Sequence, residues 1–191
     1  MRMAATPESR PQLVVRPAHE NDAAAMREIF NEGVQDHLIP FEDHPRSVET
    51  QRELIAAAVA DTWHPILVAE LRGWVLGWIA LTPYDRRPLL GDMAEVLVCV
   101  RRSFRNYGVG QQLMNAIQDE AAKLLYRKLV GRLLAENRDS LRLCLSCGWR
   151  EVGKHIAHDM AFGERRDVVV VEYLIPQKEK STIEPPEEKI A

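Results

Sequence analysis

A strand that turns through two glycines into a helix constrains this chain more than any other feature. Residues Ala94 to Val100 are almost all apolar, the pattern of a largely buried strand, and they end in the basic pair Arg101, Arg102. Beyond the turn, Val109, Leu113, Met114, Ile117, Ala121, Leu124 and Leu125 recur at spacings of three and four, the stripe of a helix lying on a sheet. Gly108 and Gly110 sit where the helix begins. The first turn of a helix leaves about four backbone N–H groups without intrahelical partners and carries partial positive charge, and glycine lets a ligand approach the backbone. The stretch from Arg105 to Gln111 therefore reads as an anion cradle that a diphosphate would fit.

The flanking segments supply the rest of a domain. Leu13 to Val15 reads as a short strand, and Asn21 to Val34 as a helix with Ile29, Phe30 and Val34 on one face. A polar loop with Pro40 and Pro45 leads to a second helix that starts at Ser47, a plausible N-cap, and runs to about residue 61. Pro65 to Leu71 and Trp74 to Leu81 form a hairpin about Arg72 and Gly73. After the helix that follows the two glycines come a strand at Lys128 to Leu134, a short helix at Ser140 to Cys147 ended by Gly148, and closing strands at Trp149 to Val152 and Val168 to Leu174. Strands alternate with helices in the middle and pair as hairpins at the ends, which predicts a mixed sheet covered by helices. The polar ends, residues 1–12 and 177–191, read as tails around one domain at 13–176.

Composition removes several classes of function. With 25 basic and 28 acidic residues in 191, the formal charge is −3, so no global field favours nucleic acid or anionic lipid. No apolar run reaches the roughly 18 residues of a spanning helix, and the first residues carry no signal-like apolar core. A cytoplasmic location is the expectation, and 3 cysteines fit reduced thiols better than a disulfide framework.

Spacing narrows the phosphate ligand. The dinucleotide fingerprint needs a third glycine where Leu113 stands, and the P-loop needs Lys then Ser or Thr where Gln111 and Gln112 stand. What remains is Arg-x-x-Gly-x-Gly at Arg105, Gly108 and Gly110, and here the chain resembles the GCN5-related N-acetyltransferase (GNAT) superfamily and its acetyl-CoA motif. The segment from Asn137 through Ser140 and Cys144 to Gly148-Trp149 is similar to that superfamily's later motif, and Val15-Arg16-Pro17-Ala18 to its start. Within it, Phe41 followed by Pro45, the loop Pro83 to Arg87, Glu95 ahead of Val98-Cys99-Val100, and Asp167-Val168 resemble the phosphinothricin acetyltransferase-like members. The resemblance covers residues 13 to 175. It implies an α/β (α+β) fold with a single mixed, mostly antiparallel sheet flanked by helices, and transfer of an acetyl group from acetyl-CoA to the primary amine of a small molecule, with no metal. Dimers through sheet edges are common in such proteins, and nothing in the sequence decides for or against one.

Each candidate residue carries a functional and a plain reading. Glu95 interrupts an apolar strand; it is the candidate general base, since an amine near pKa 10 must lose a proton before it attacks a thioester, and otherwise an ion-pair partner for Arg86 or Arg87. The resemblance implies that the backbones of Val98, Cys99 and Val100 bond pantetheine amides, and that Arg105, Asn106, Tyr107, Gly108, Val109, Gly110 and Gln111 hold the diphosphate. Asn137 either contacts the pantetheine arm or caps the helix at Ser140. Cys144 stands where many relatives carry Tyr and phosphinothricin acetyltransferases carry His; it is a candidate acid for the departing thiolate or a packing residue. Phe41 and Arg87 are candidate acceptor contacts, with Arg86, Arg165 and Arg166 as further carboxylate binders. Arg101 and Arg102 either reach the 3′-phosphate or are solvated charges.

Three competing classes stay open: a protein acetylase, an acyl-CoA-binding module without catalysis, and a zinc or redox protein. The last would use Cys144, Cys147, His155 and His158, but strand spacing puts the two histidines on opposite faces, and a redox C-x-x-C normally opens a helix. The segment Met160 to Arg166 lacks the Tyr, Lys and Trp that phosphinothricin acetyltransferases carry there, so the acceptor is read only as a small amino acid or related primary amine.

Overall fold

A computed structural model describes residues 12–85, 87 and 90–176, and the elements follow the sequence periodicities closely. They run β1 (Val14–Pro17), α1 (Ala23–Gln35), α2 (Val48–Ala60), β2 (Ile66–Leu71), β3 (Trp74–Pro83), β4 (Met93–Val100), α3 (Val109–Lys123), β5 (Lys128–Leu134), α4 (Arg138–Ser146), β6 (Arg150–Asp159) and β7 (Arg166–Leu174). Local chemistry sets several bounds. Ser47 caps α2 by accepting the Thr50 N–H at 3.1 Å. Arg72 and Gly73, with φ of 52° and 81°, make the two-residue turn between β2 and β3, whose twist needs positive φ at both positions. The proposed tails at 1–12 and 177–191 lie outside the described residues except for Gln12.

The strands form one sheet in the order β1-β2-β3-β4-β5-β7-β6, antiparallel at every seam except β4–β5, which α3 bridges as a crossover. Helices cover both faces. On one, α3 and α4 pack Leu113, Met114, Ile117 and Cys144 against Leu129, Trp149 and Val171. On the other, α1 and α2 pack Met26, Ile29, Phe30 and Ile55 against Val68 and Trp78, whose indole N–H donates to the Met26 carbonyl at 3.1 Å. Trp74, by contrast, is exposed at the hairpin.

One element is longer than the sequence suggests. The apolar run at Trp149 to Val152 predicts a short strand, yet β6 continues to Asp159. It is an edge strand with nearly all its side chains in solvent, so Lys154, His155 and His158 give no apolar signal; pairing with β7 defines it instead. Its register slips between His155 and Asp159, where Ala157 takes φ 51°. That irregularity stacks the His155 and His158 rings 4.6 Å apart, correcting the expectation of opposite faces, because strict alternation holds only along regular strand.

Candidate active site

The β4–β5 seam opens into the site. Only Met93, Ala94 and Glu95 pair with β5, at Lys128, Leu129 and Val130, although β4 runs on to Val100 and β5 to Leu134. Beyond Glu95 the strands diverge, and a cleft of about 450 Å³ lies between them, within the range of small-ligand pockets. Its walls include Val96 to Val100 from β4 and Gly131 to Leu133 from β5. Diverging strands leave backbone N–H and C=O groups without ladder partners, the condition under which an extended ligand bonds as an added strand.

The cradle closes the far end. Gly108 sits at φ 83°, a left-handed value that a Cβ disfavours, and turns the chain into α3. No side chain among the described residues caps this helix, and its first internal bond runs from the Gln112 N–H to the Gly108 carbonyl at 3.1 Å. The N–H groups of Val109, Gly110 and Gln111 are left for a ligand. A Cβ at Gly110 would come within 2.9 Å of the Leu143 side chain, so glycine there lets α3 lie close to α4.

The cleft brings together Val98, Cys99, Val100, Arg105, Asn106, Gly108, Gly110, Gln111, Asn137 and Cys144. Glu95, Phe41, Arg87, Tyr107 and Val109 are not in its wall: the Tyr107 side chain is 78% exposed, and the Val109 side chain is core. Asn137 fulfils its plain reading, since its carbonyl accepts the Ser140 N–H at 3.1 Å as the cap of α4. Its amide also donates to the Leu38 carbonyl at 3.3 Å.

Glu95 stands at the last paired position before the split. Strand alternation places it, with Leu97 and Cys99, on the face that α1 and α2 cover, while Val96, Val98 and Val100 face α3 and α4. Its carboxylate is part-buried and accepts from Arg132 of β5, a cleft residue. The ion pair foreseen with Arg86 or Arg87 is therefore made with Arg132; Arg86 lies outside the described residues. Arg87 is held at Asp85 by two bonds of 2.9 and 2.7 Å, with its side chain 74% exposed, so it does not meet the cleft as an acceptor contact.

Cys144 lines the cleft but is only 4% exposed, and burial pushes its thiol up to about 12. An ordinary thiol titrates near 8.5, so giving this proton to another alkyl thiolate runs uphill. Its side chain packs in the core cluster with Leu113, Met114 and Trp149. No group of three His, Cys, Asp or Glu side chains among the described residues could hold a metal ion.

Residues 12–150 match the model of the acetyltransferase (GNAT) domain. The chain belongs to that family. Among curated relatives, phosphinothricin N-acetyltransferase of Streptomyces coelicolor is 28% identical over 160 residues, covering 82% of this chain and 93% of its own. The L-methionine sulfoximine/L-methionine sulfone acetyltransferase of Salmonella typhimurium is 25% identical, covering 84% and 93%. A GNAT superfamily phosphinothricin acetyltransferase from Sinorhizobium meliloti, solved in complex with acetyl-CoA, superposes with a TM-score of 0.81 over 92% of this chain and 94% of that one, at 20% identity.

In this GNAT domain the loop that holds Phe41 is tied down by contacts from distant elements. The segment 36–41 contributes Leu38, Ile39 and Pro40 to the cleft wall. It is clasped from several elements: the His37 carbonyl accepts from Arg166, the His37 ring stacks on Phe162 at 3.9 Å, and the Phe41 N–H donates to Asp159 at 3.0 Å. Phe41 itself is half exposed, edge-on to His158. These contacts join residues 118 to 129 positions apart, so no local pattern announces them. No helix among the described residues is long and apolar enough to cross a membrane.

Proposed function

We propose that this acetyltransferase moves the acetyl group of acetyl-CoA directly to the primary amine of a small amino acid or amino-acid analogue. The observation that carries the reading is the seam that opens at Glu95 above an uncapped helix start: one cleft offers free strand edges and free N–H groups in line. The diphosphate fits the Gly108 to Gln111 N–H groups and Arg105, and the pantetheine arm fits the β4 edge at Val98 to Val100. An amino-acid acceptor is supported by the names of the relatives, which include phosphinothricin, methionine sulfoximine and L-amino acid acyltransferases.

The chemistry follows from the groups at the split. An acceptor entering from the α1 and α2 face meets Glu95, which takes a proton from the ammonium directly or through a water. The freed lone pair attacks the thioester carbonyl, whose developing oxyanion takes a hydrogen bond from a β4 backbone N–H. The nitrogen gives its second proton to water as collapse breaks the C–S bond, and the thiolate leaves and takes a proton from solvent, burial making the Cys144 thiol a poor donor. Arg132 holds the Glu95 carboxylate in place and shares it with the incoming cation.

The test has two steps. Calorimetry with acetyl-CoA is expected to show binding by wild type and none by Gly108→Glu, which puts a carboxylate where the diphosphate sits. Thiol release across a panel of amino acids, polyamines and peptides then names the acceptor, with Glu95→Gln expected to abolish most turnover. Wild type that binds neither acetyl-CoA nor CoA would remove the reading entirely, and release with peptides alone would move it to a protein acetylase.

A further inference from the structure

The last turn of α1 holds acidic side chains at the wrong end of a helix. Glu32 lies in that turn and Asp36 is the C-cap, with no basic residue in the turn, although the dipole there disfavours negative charge. A local choice that opposes its own element points to a contact elsewhere. Both acids face the cofactor turn: Glu32 accepts the Arg102 N–H at 2.5 Å, and Asp36 grips Arg102 at 2.6 and 3.0 Å and Arg105 at 2.6 Å. Burial alone would raise the Asp36 carboxyl, but the two arginines outweigh it and hold it below the usual range.

Arg105 is the member that meets the cleft. Its Nε donates to the Val100 carbonyl at 3.2 Å and one terminal nitrogen to Asp36. A guanidinium has five N–H donors in a rigid fork, so fixing it at two points aims the others. Asp36 also begins the 36–41 segment, so the same carboxylate ties that segment to the phosphate turn across 69 positions of sequence.

We propose that Asp36 is a positioning residue for acetyl-CoA: held between Arg102 and Arg105, it presents the remaining Arg105 donors to the cofactor diphosphate. It touches no substrate and acts through Arg105. This rests on the cleft being the acetyl-CoA site. The gain is preorganisation, because a long side chain that is already immobile loses less freedom on binding, an effect of about fivefold in affinity for one such side chain.

CoA binding by calorimetry, in wild type, Asp36→Asn, Arg105→Ala and the double variant, tests it. Asp36→Asn is expected to weaken CoA about fivefold, and to have no further effect once Arg105 is alanine. A purely structural role would weaken both backgrounds equally, and such additivity overturns the proposal. Unchanged or tighter binding by Asp36→Asn also overturns it, the latter showing that the carboxylate competes with the diphosphate for Arg105. Should Asp36→Asn lose its cooperative melt, Asp36→Glu replaces it; it keeps the charge and displaces the guanidinium, with the same expected direction and the same dependence on Arg105. Failure of wild type to bind CoA would count against the cofactor site itself, a distinct result.

Discussion

The two edges of β4 have opposite fates. Towards β3 the strand is paired at every position from Ala94 to Val100, and towards β5 pairing stops at Glu95. One backbone thus has two surroundings: the closed edge anchors the strand in the sheet, and the open edge runs along the cleft without pairing to β5. The closed side also holds the partnered Trp78 indole and the Arg16 fork, which binds Asp22 at 2.8 and 2.9 Å and Glu70 at 2.8 Å. The open side carries Glu95, Arg105 and the uncapped start of α3. An arginine gripped by a carboxylate occurs on both sides, at Arg16 and at Arg105, but only Arg105 faces a cleft. The same ion-pair chemistry therefore ties strands and a helix start together in one place and fixes a side chain at the cleft in the other.

If that division is sound, closed-side changes should appear in stability and open-side changes in binding or rate. The largest effect is expected from Trp78→Ala, which empties a fully buried site and should cost about 3–5 kcal/mol in urea unfolding while leaving CoA affinity of the folded protein unchanged. A parallel loss of affinity would show that the two edges cannot be separated. Glu95→Gln should lower kcat/KM by about 100-fold and change stability by less than about 1 kcal/mol, the range of a part-exposed ion pair.

Acid sharpens the contrast on the closed side. Burial would raise the Asp22 carboxyl, but Arg16 and the His19 N–H outweigh it and depress its folded value. A depressed carboxyl contributes stability that is present above the unfolded value near 3.9 and is lost as pH falls through the folded value. Asp22→Asn should therefore cost about 1–3 kcal/mol at pH 7 and flatten the acid limb of stability against pH. The smallest effect is expected from Cys144→Ala: about 1 kcal/mol of stability from lost packing, with kcat little changed. A large fall in kcat would restore the thiol as the acid.

The legible parts of this protein share a physical trait: their signals are local. The apolar strand ahead of two glycines, the three-and-four stripe of α3, the Ser47 cap and the Arg72-Gly73 turn each depend on neighbours in sequence, and each stands where the periodicity puts it except the end of the stripe: α3 stops at Lys123, and Leu125, at φ 61°, is 76% exposed. β6 was legible only at its start, because an edge strand in solvent needs no apolar alternation. Tyr107 is implied as a cradle residue by the family resemblance, and its side chain is exposed, so any share in the cradle falls to its backbone. The backbone of a turn and its side chains can face different ways.

The sequence by itself determined that a buried strand runs through glycines into an amphipathic helix, because periodicity and backbone freedom are properties of short segments. Only the tertiary structure decided where β4 and β5 part, that Glu95 meets Arg132 and that Asp36 holds Arg105. Those contacts span 35 to 69 positions and exist only once helices on both faces have fixed the relative height of the strands.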